Sequence, residues 1–282
     1  MSAAGVEALG AGWAHSGGDR PWGRALVAGR EAAVLLQDDG ALTNADGERL
    51  DEAELTWLPP VEARTIVAIA LNYRDHAAEL DLAEPEQPAL FPKFANAMVG
   101  HRRPIVRPRG IRFMHYETEL AAVIGRPARR VRAADALAHV AGYTIANDLV
   151  VRDFVIDHFR PPIKPKNFDT FLPMGPLVVP AARVPDPQDM GIRTYVNGEL
   201  RQEGSTRDMV HTVADLIAYV SEFMTLRPGD VLLTGTPKGI SHVHAGDTLR
   251  CEVGDLPPLE NPVVAEEDVA AAPAAAGARV AG

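Results

Sequence analysis

The chain has 282 residues, 46% of them hydrophobic and 23% charged, with a formal net charge of −10. That length sets a prior of roughly one to two domains and allows a sizeable core, while the acidity argues against a global nucleic-acid footprint. A single cysteine, Cys251, excludes an intrachain disulfide framework and any multi-cysteine zinc or iron–sulfur site.

Mean hydropathy is −0.06, and no stretch approaches the ~20 continuous apolar residues of a membrane helix. Residues 1–20 carry no basic region followed by an apolar run, so the expectation is a cytoplasmic protein without a membrane partner. Two β-prone runs, 24–27 and 32–37, open the chain around a Gly29-Arg30 turn, and Asp38-Asp39-Gly40 closes the second. Residues 1–60 read as a small β-rich segment ending at Pro59-Pro60, residues 61–265 as the main unit, and the alanine-rich residues 266–282 as a disordered tail.

Within the main unit, short apolar runs alternate with Gly/Pro turns, which predicts strands at 65–71, 120–124, 140–146, 177–179, 193–196, 231–234 and 248–253. Helical spacing is clearest over 209–224, where Val213, Leu216, Ile217 and Val220 keep a 3, 4 rhythm; shorter helices are expected at 75–80 and 133–139. The chain shows no Walker loop, no GxGxxG after a strand, no GxSxG elbow and no internal repeat. The fold class is therefore β-rich (α+β) with few short helices, and a βαβ nucleotide-binding architecture is not expected.

The most informative segment is His115-Tyr116-Glu117-Thr118-Glu119-Leu120-Ala121-Ala122-Val123-Ile124-Gly125. As a strand it places Glu117 and Glu119 on one face, roughly 7 Å apart, with apolar neighbours. Two like charges there are costly unless a cation lies between them. Asp148, at the end of another strand, offers a third oxygen ligand. Three carboxylates without a thiolate suit Mg2+ or Mn2+ better than zinc. The purely structural alternative is an exposed edge strand with solvated glutamates. His115 shares the face by parity but is not assigned as a ligand.

After the first strand of the main unit, His76 and Glu79 are three residues apart and share a face of a helical turn; a carboxylate that orients an imidazole makes a competent general base. The alternative is a capped helix with an incidental pair. Thr234-Gly235-Thr236-Pro237-Lys238-Gly239 follows a strand and offers backbone N–H groups suited to an anion, or else a tight structural turn. Only four of the 28 basic residues are lysines, Lys93, Lys164, Lys166 and Lys238, so a titratable ammonium is used sparingly. An arginine run, Arg102, Arg103, Arg107, Arg109 and Arg112 followed by Arg126, Arg129, Arg130 and Arg132, either steers polyanions or forms a solvated basic surface.

Taken in order, these pieces resemble the fumarylacetoacetate hydrolase family. The matching residues are Leu71-Asn72-Tyr73 with His76 and Glu79, Phe91-Pro92-Lys93, His115 through Gly125, Gly142-Tyr143-Thr144 into Asn147-Asp148, Arg152-Asp153, and Lys166 through Pro176. Asn197-Gly198-Glu199, Leu226 through Asp230 and Thr234 through Gly239 complete the resemblance, which covers about residues 61–265. It implies a mixed β-sandwich roll forming a homodimer, with Glu117, Glu119 and Asp148 holding Mg2+ or Mn2+. A small 2-oxo-carboxylate is the implied substrate, Lys166 stands beside its developing enolate, His76 with Glu79 moves the proton, and Arg152 and Thr236 hold substrate carboxylates. Met114 through Glu117, Val196 through Gln202 and Ser221 through Leu226 resemble the branch acting as isomerase/decarboxylase on unsaturated oxo di- or tricarboxylates in aromatic catabolism. The alternatives are a C–C hydrolase of acylpyruvates or fumarylpyruvate, a non-catalytic metal/dicarboxylate-binding protein, and a metal-dependent nuclease, which the acidic charge disfavours. One departure, Leu149-Val150-Val151 where the family carries smaller residues, implies a reshaped pocket wall beside Arg152.

Overall fold

Apolar side chains on alternate faces of the strand Thr118–Ile124 build two separate cores in the computed structural model, which describes residues 19–79, 81–155 and 161–270. Leu120, Ala122 and Ile124 join one buried cluster, while Ala121 and Val123 join the other. All seven residues of the strand are buried, as a strand covered on both faces requires. It lies inside a sheet, between Val140–Asn147 and Val231–Leu233, which removes the alternative of an exposed edge strand with solvated glutamates.

Among the described residues the large sheet has 12 strands. From one edge to the other it passes through Arg49–Leu50, Leu42–Thr43, Arg30–Leu36, Trp22–Val27, Leu172–Pro180, Val140–Asn147, Thr118–Ile124, Val231–Leu233, Ile66–Ala70 and Ala89–Lys93. Thr56–Leu58 pairs with Trp22–Val27, and Met98–Val99 with Leu172–Pro180. A second sheet orders Glu199–Ser205, Gly191–Val196, Thr248–Val253, Leu259–Ala265 and Ile105–Arg107. Most pairings are antiparallel, but Val231–Leu233 runs parallel to Ile66–Ala70, and Leu259–Ala265 parallel to Ile105–Arg107. The sheets face each other through Leu120, Ile145, Ile192, Cys251 and Val253, and Thr118 Oγ1 meets Thr194 Oγ1 at 2.5 Å across the gap. This is the β-rich sandwich expected from the sequence.

The helix expected over 209–224 spans Val213–Phe223. Its start is set by a capping box in which Thr212 and Asp215 satisfy each other's backbone N–H groups. Met209 is drawn instead into a bridge with Tyr73. The expected strand at 177–179 extends over Leu172–Pro180, because its N-terminal half pairs with Met98–Val99 and with Val140–Asn147. The tail expectation needs correction at its start: Glu266–Ala270 is helical, and Arg109 bonds Glu266 through its backbone N–H and Glu267 through its guanidinium. Residues 271–282 lie outside the described residues.

Candidate active site

Antiparallel register brings the three carboxylates together. Thr118 pairs with Asn147 and Glu119 with Ala146, so the N-terminal end of one strand meets the C-terminal end of the other. Glu117 therefore lies beside Asp148, whose N–H donates to the Glu117 carbonyl at 2.8 Å. Ligand oxygens of Glu117, Glu119 and Asp148 all lie within 4.8 Å of one another, and all three side chains are buried. The chain leaving Val231–Leu233 turns over the same spot, and Gly235 N–H donates to Glu119 Oε2 at 2.7 Å. Gly235 has φ +85, and a Cβ there would stand 3.0 Å from Asn72 Cβ, so this turn requires glycine.

Two buried lysines answer three carboxylates. Lys166 Nζ lies 2.5 Å from Glu117 Oε2 and 2.8 Å from Asp148 Oδ2. Lys93 Nζ lies 2.7 Å from Asp148 Oδ1 with a side chain that is 0% exposed. Burial works against the Lys166 charge, but Asp148 and Glu117 outweigh it and raise its pKa. Burial dominates at Lys93 and lowers its pKa despite Asp148. Burial also opposes the Asp148 charge, yet the two lysines bring its pKa below the ordinary value. Glu119 carries the mismatch: burial first, then Asp148 and Glu117, push its carboxyl well above 4.5. An all-oxygen donor set short of one positive charge fits a divalent cation of the Mg2+ or Mn2+ type.

A cavity of about 570 Å3 opens onto this cluster. Of the residues singled out from sequence, His76, Glu117, Arg152, Lys166 and Thr236 line it. His76 Nδ1 pairs with Glu79 Oε2 at 3.2 Å, and Glu79 Oε1 accepts from Gly239 N–H at 3.0 Å. That leaves His76 Nε2 as the ring nitrogen available to a substrate. Thr236 reaches the cavity, but its hydroxyl proton is committed to the Thr118 carbonyl at 2.8 Å, and Gln202 Nε2 donates to it at 2.8 Å. The Arg152 guanidinium has no acidic partner among the described residues. Val150 forms part of the cavity wall, whereas Leu149 and Val151 pack into the core, so the departure at these positions alters one wall residue beside Arg152.

Sequence reasoning assigned no role to Lys93 or Lys164. Lys164 lines the cavity with Nζ 3.9 Å from the Phe154 ring centroid, a cation–π contact, and no acidic partner among the described residues. The scarcity of lysine was the signal for both. His115 stands outside the carboxylate cluster; burial lowers its pKa to about 4. In the arginine run, Arg102, Arg109, Arg112 and Arg132 pair with Glu52, Glu267, Asp153 and Asp135, as a solvated charged surface does.

Residues 65–264 match the description "Fumarylacetoacetate (FAA) hydrolase C-terminal". The chain belongs to the fumarylacetoacetate hydrolase family. It is 49% identical over 223 residues, 77% of this chain and 52% of the relative, to the 4-hydroxyphenylacetate degradation bifunctional isomerase/decarboxylase of Escherichia coli. The chain thus spans about half the length of that curated relative. Among solved structures, 5-carboxymethyl-2-hydroxymuconate delta-isomerase from Mycobacterium smegmatis superposes with a TM-score of 0.78 at 37% identity, covering 87% of this chain and 99% of that one. Fumarylpyruvate hydrolase from Pseudomonas aeruginosa, solved with Mn2+ and pyruvate, gives a TM-score of 0.69 at 34% identity over 74% of this chain and 91% of that one.

Proposed function

We propose that this protein is a divalent-metal-dependent isomerase/decarboxylase acting on an unsaturated 2-oxo (enol) di- or tricarboxylate in aromatic catabolism. The observation that carries this reading is a cavity that reaches a buried cluster of three carboxylates and two lysines through Glu117 and Lys166, and that is lined by two cations, Arg152 and Lys164, uncommitted to any acid among the described residues. Glu117, Glu119 and Asp148 would hold Mg2+ or Mn2+. Such an ion supplies Lewis-acid polarisation of a 2-oxo group when bound.

Each remaining task falls to a side chain of this molecule. Lys166, freed from Glu117 and Asp148, directs its ammonium at the oxo oxygen as negative charge develops there. Arg152 and Lys164 hold a distal carboxylate, fixing which carbon stands over His76. In decarboxylation, the electrons of the breaking C–C bond flow into the oxo oxygen and CO2 leaves; His76 Nε2, carrying a proton taken up from water, then gives it to carbon and is left neutral. In isomerisation the same nitrogen takes a proton from one carbon and gives it to another. Glu79 holds the ring for both. The family resemblance further supports a homodimer, with residues 61–265 as its catalytic unit.

A C–C hydrolase of acylpyruvates or fumarylpyruvate is the second reading, favoured by the likeness to the Mn2+- and pyruvate-bound hydrolase. There His76 Nε2 deprotonates water instead. An ultraviolet assay with Mg2+ on 5-oxopent-3-ene-1,2,5-tricarboxylate, with CO2 quantified in the same sample, separates the two. Substrate loss matched by CO2 and abolished by chelator supports the decarboxylase. No CO2, with pyruvate released from acylpyruvates, moves the assignment to the hydrolase; no turnover in either leaves a non-catalytic metal/dicarboxylate-binding protein.

A further inference from the structure

We infer that Lys93 is a positioning residue for metal selection: by holding Asp148 Oδ1 it leaves only Oδ2 for a cation, favouring a small octahedral ion over a larger one. This rests on the metal reading above and deepens it.

The strand Ala89–Lys93 turns Phe91 and Lys93 inward and Pro92 outward, so strand alternation, oriented by the pairing with Ile66–Ala70, sends a lysine into the core. Its ammonium is anchored there by the carbonyls of Lys166 and Phe171, the latter at 3.0 Å. From that fixed point Nζ stands 2.7 Å from Asp148 Oδ1. Asp148 Oδ2 shares the Lys166 ammonium with Glu117 Oε2, at 2.8 and 2.5 Å. The two oxygens of one carboxylate thereby differ: Oδ2 accepts a hydrogen bond from Lys166, whereas Oδ1 has no hydrogen-bond partner among the described residues and meets Lys93 as an ion pair. Presenting both to a cation requires Asp148 to leave Lys93, whose side chain is 0% exposed. An unpaired buried ammonium is the costly outcome.

Cation chemistry turns this restraint into selectivity. Mg2+ demands near-ideal octahedral geometry with single oxygens, whereas Ca2+ takes six to eight oxygens and accepts bidentate carboxylates. A carboxylate limited to one oxygen therefore disfavours Ca2+. Lys93 also repels any divalent cation, but that repulsion is the same for both ions and cancels in the ratio of their affinities.

The test is calorimetric titration of the chelator-treated full chain with Mg2+ and with Ca2+, in wild type and Lys93→Met. The inference expects the preference for Mg2+ over Ca2+ to fall by about tenfold or more in the variant. Affinities that shift by one common factor, or an unchanged ratio, overturn it, because a merely structural or electrostatic lysine moves both ions alike. If the variant does not fold, a crystal structure of wild type soaked with Mn2+ decides: one Asp148 oxygen on the ion with Lys93 on the other supports the inference, and both oxygens on the ion overturn it. Mn2+ found away from the three carboxylates defeats the metal reading itself, a separate failure.

Discussion

Lys166 Nζ lies 2.5 Å from Glu117 Oε2 and bridges it to Asp148, holding together two carboxylates that would otherwise repel each other in a buried site. Under the proposed function, the same ammonium that pairs these carboxylates would also meet a substrate oxyanion. These two duties separate in a variant. Lys166→Met leaves Lys93 alone against three carboxylates and should lower metal-free stability by about 3–5 kcal/mol. Mn2+ should bind the variant more tightly, because a competing cation is gone, while turnover is lost. Denaturant unfolding with and without Mn2+, alongside the activity assay, checks this; weaker Mn2+ binding in the variant would contradict the assigned position.

Glu119 links metal to pH. Burial, Asp148 and Glu117 raise its pKa above 4.5, so the folded metal-free protein holds a proton that the unfolded chain has released. Across the window from 4.5 up to the raised value, metal-free stability therefore falls as pH rises. Metal must displace that proton, so stabilisation by Mn2+ grows with pH. Glu119→Gln should remove both trends and raise the metal-free Tm at the alkaline end of the window, at about 2–4 °C for each kcal/mol gained. Thermal scans at three pH values measure it, and Mn2+ stabilisation that shrinks toward high pH counts against the account.

His76 and Glu79 should divide unequally. His76→Gln removes the proton carrier and should lower kcat about 10²–10⁴-fold with little change in KM. Glu79→Gln keeps an acceptor for Gly239 N–H and for the imidazole, so its loss should be smaller. Steady-state kinetics on both variants decides, and a His76→Gln enzyme with full kcat would remove His76 from the chemistry.

A second pH dependence lies away from the cavity. His101 is buried, packs edge-on against Trp57, and accepts from Glu260 N–H at 3.0 Å through Nδ1. Burial, then Arg102, lowers its pKa from 6.5 to about 4. The unfolded chain takes up this proton first as pH falls, so the stability is fully present above 6.5 and drains away toward about 4. The loss amounts to about 1–3 kcal/mol. His101→Asn, which retains an acceptor for Glu260 N–H, should flatten that part of the pH profile in urea unfolding; an unchanged slope would assign it elsewhere.

The carboxylate cluster was legible because its ligands lie at the ends of two strands whose alternation is plain in Glu117 through Ile124 and in Gly142 through Asp148. His76 with Glu79 was legible from helical spacing. Lys93 was not, because a lysine after Phe91-Pro92 reads as a strand end, and only the pairing with Ile66–Ala70 turns it inward. Thr236 was visible as a turn residue, yet the destination of its hydroxyl depends on Thr118 and Gln202 from two other strands. The long strand Leu172–Pro180 was hidden because Pro173, Gly175 and Pro176 read as turn formers, and pairing from both sides overrides that preference.

The most direct measurement is titration of chelator-treated protein with Mn2+, following free Mn2+ by electron paramagnetic resonance. Wild type should take up one Mn2+ per chain, a pyruvate addition should perturb the bound signal, and Glu117→Gln, Glu119→Gln and Asp148→Asn should each weaken uptake about 10-fold or more. Undiminished uptake in all three variants would contradict a metal centre built on these carboxylates, and with it the enolate chemistry assigned to Lys166 and His76.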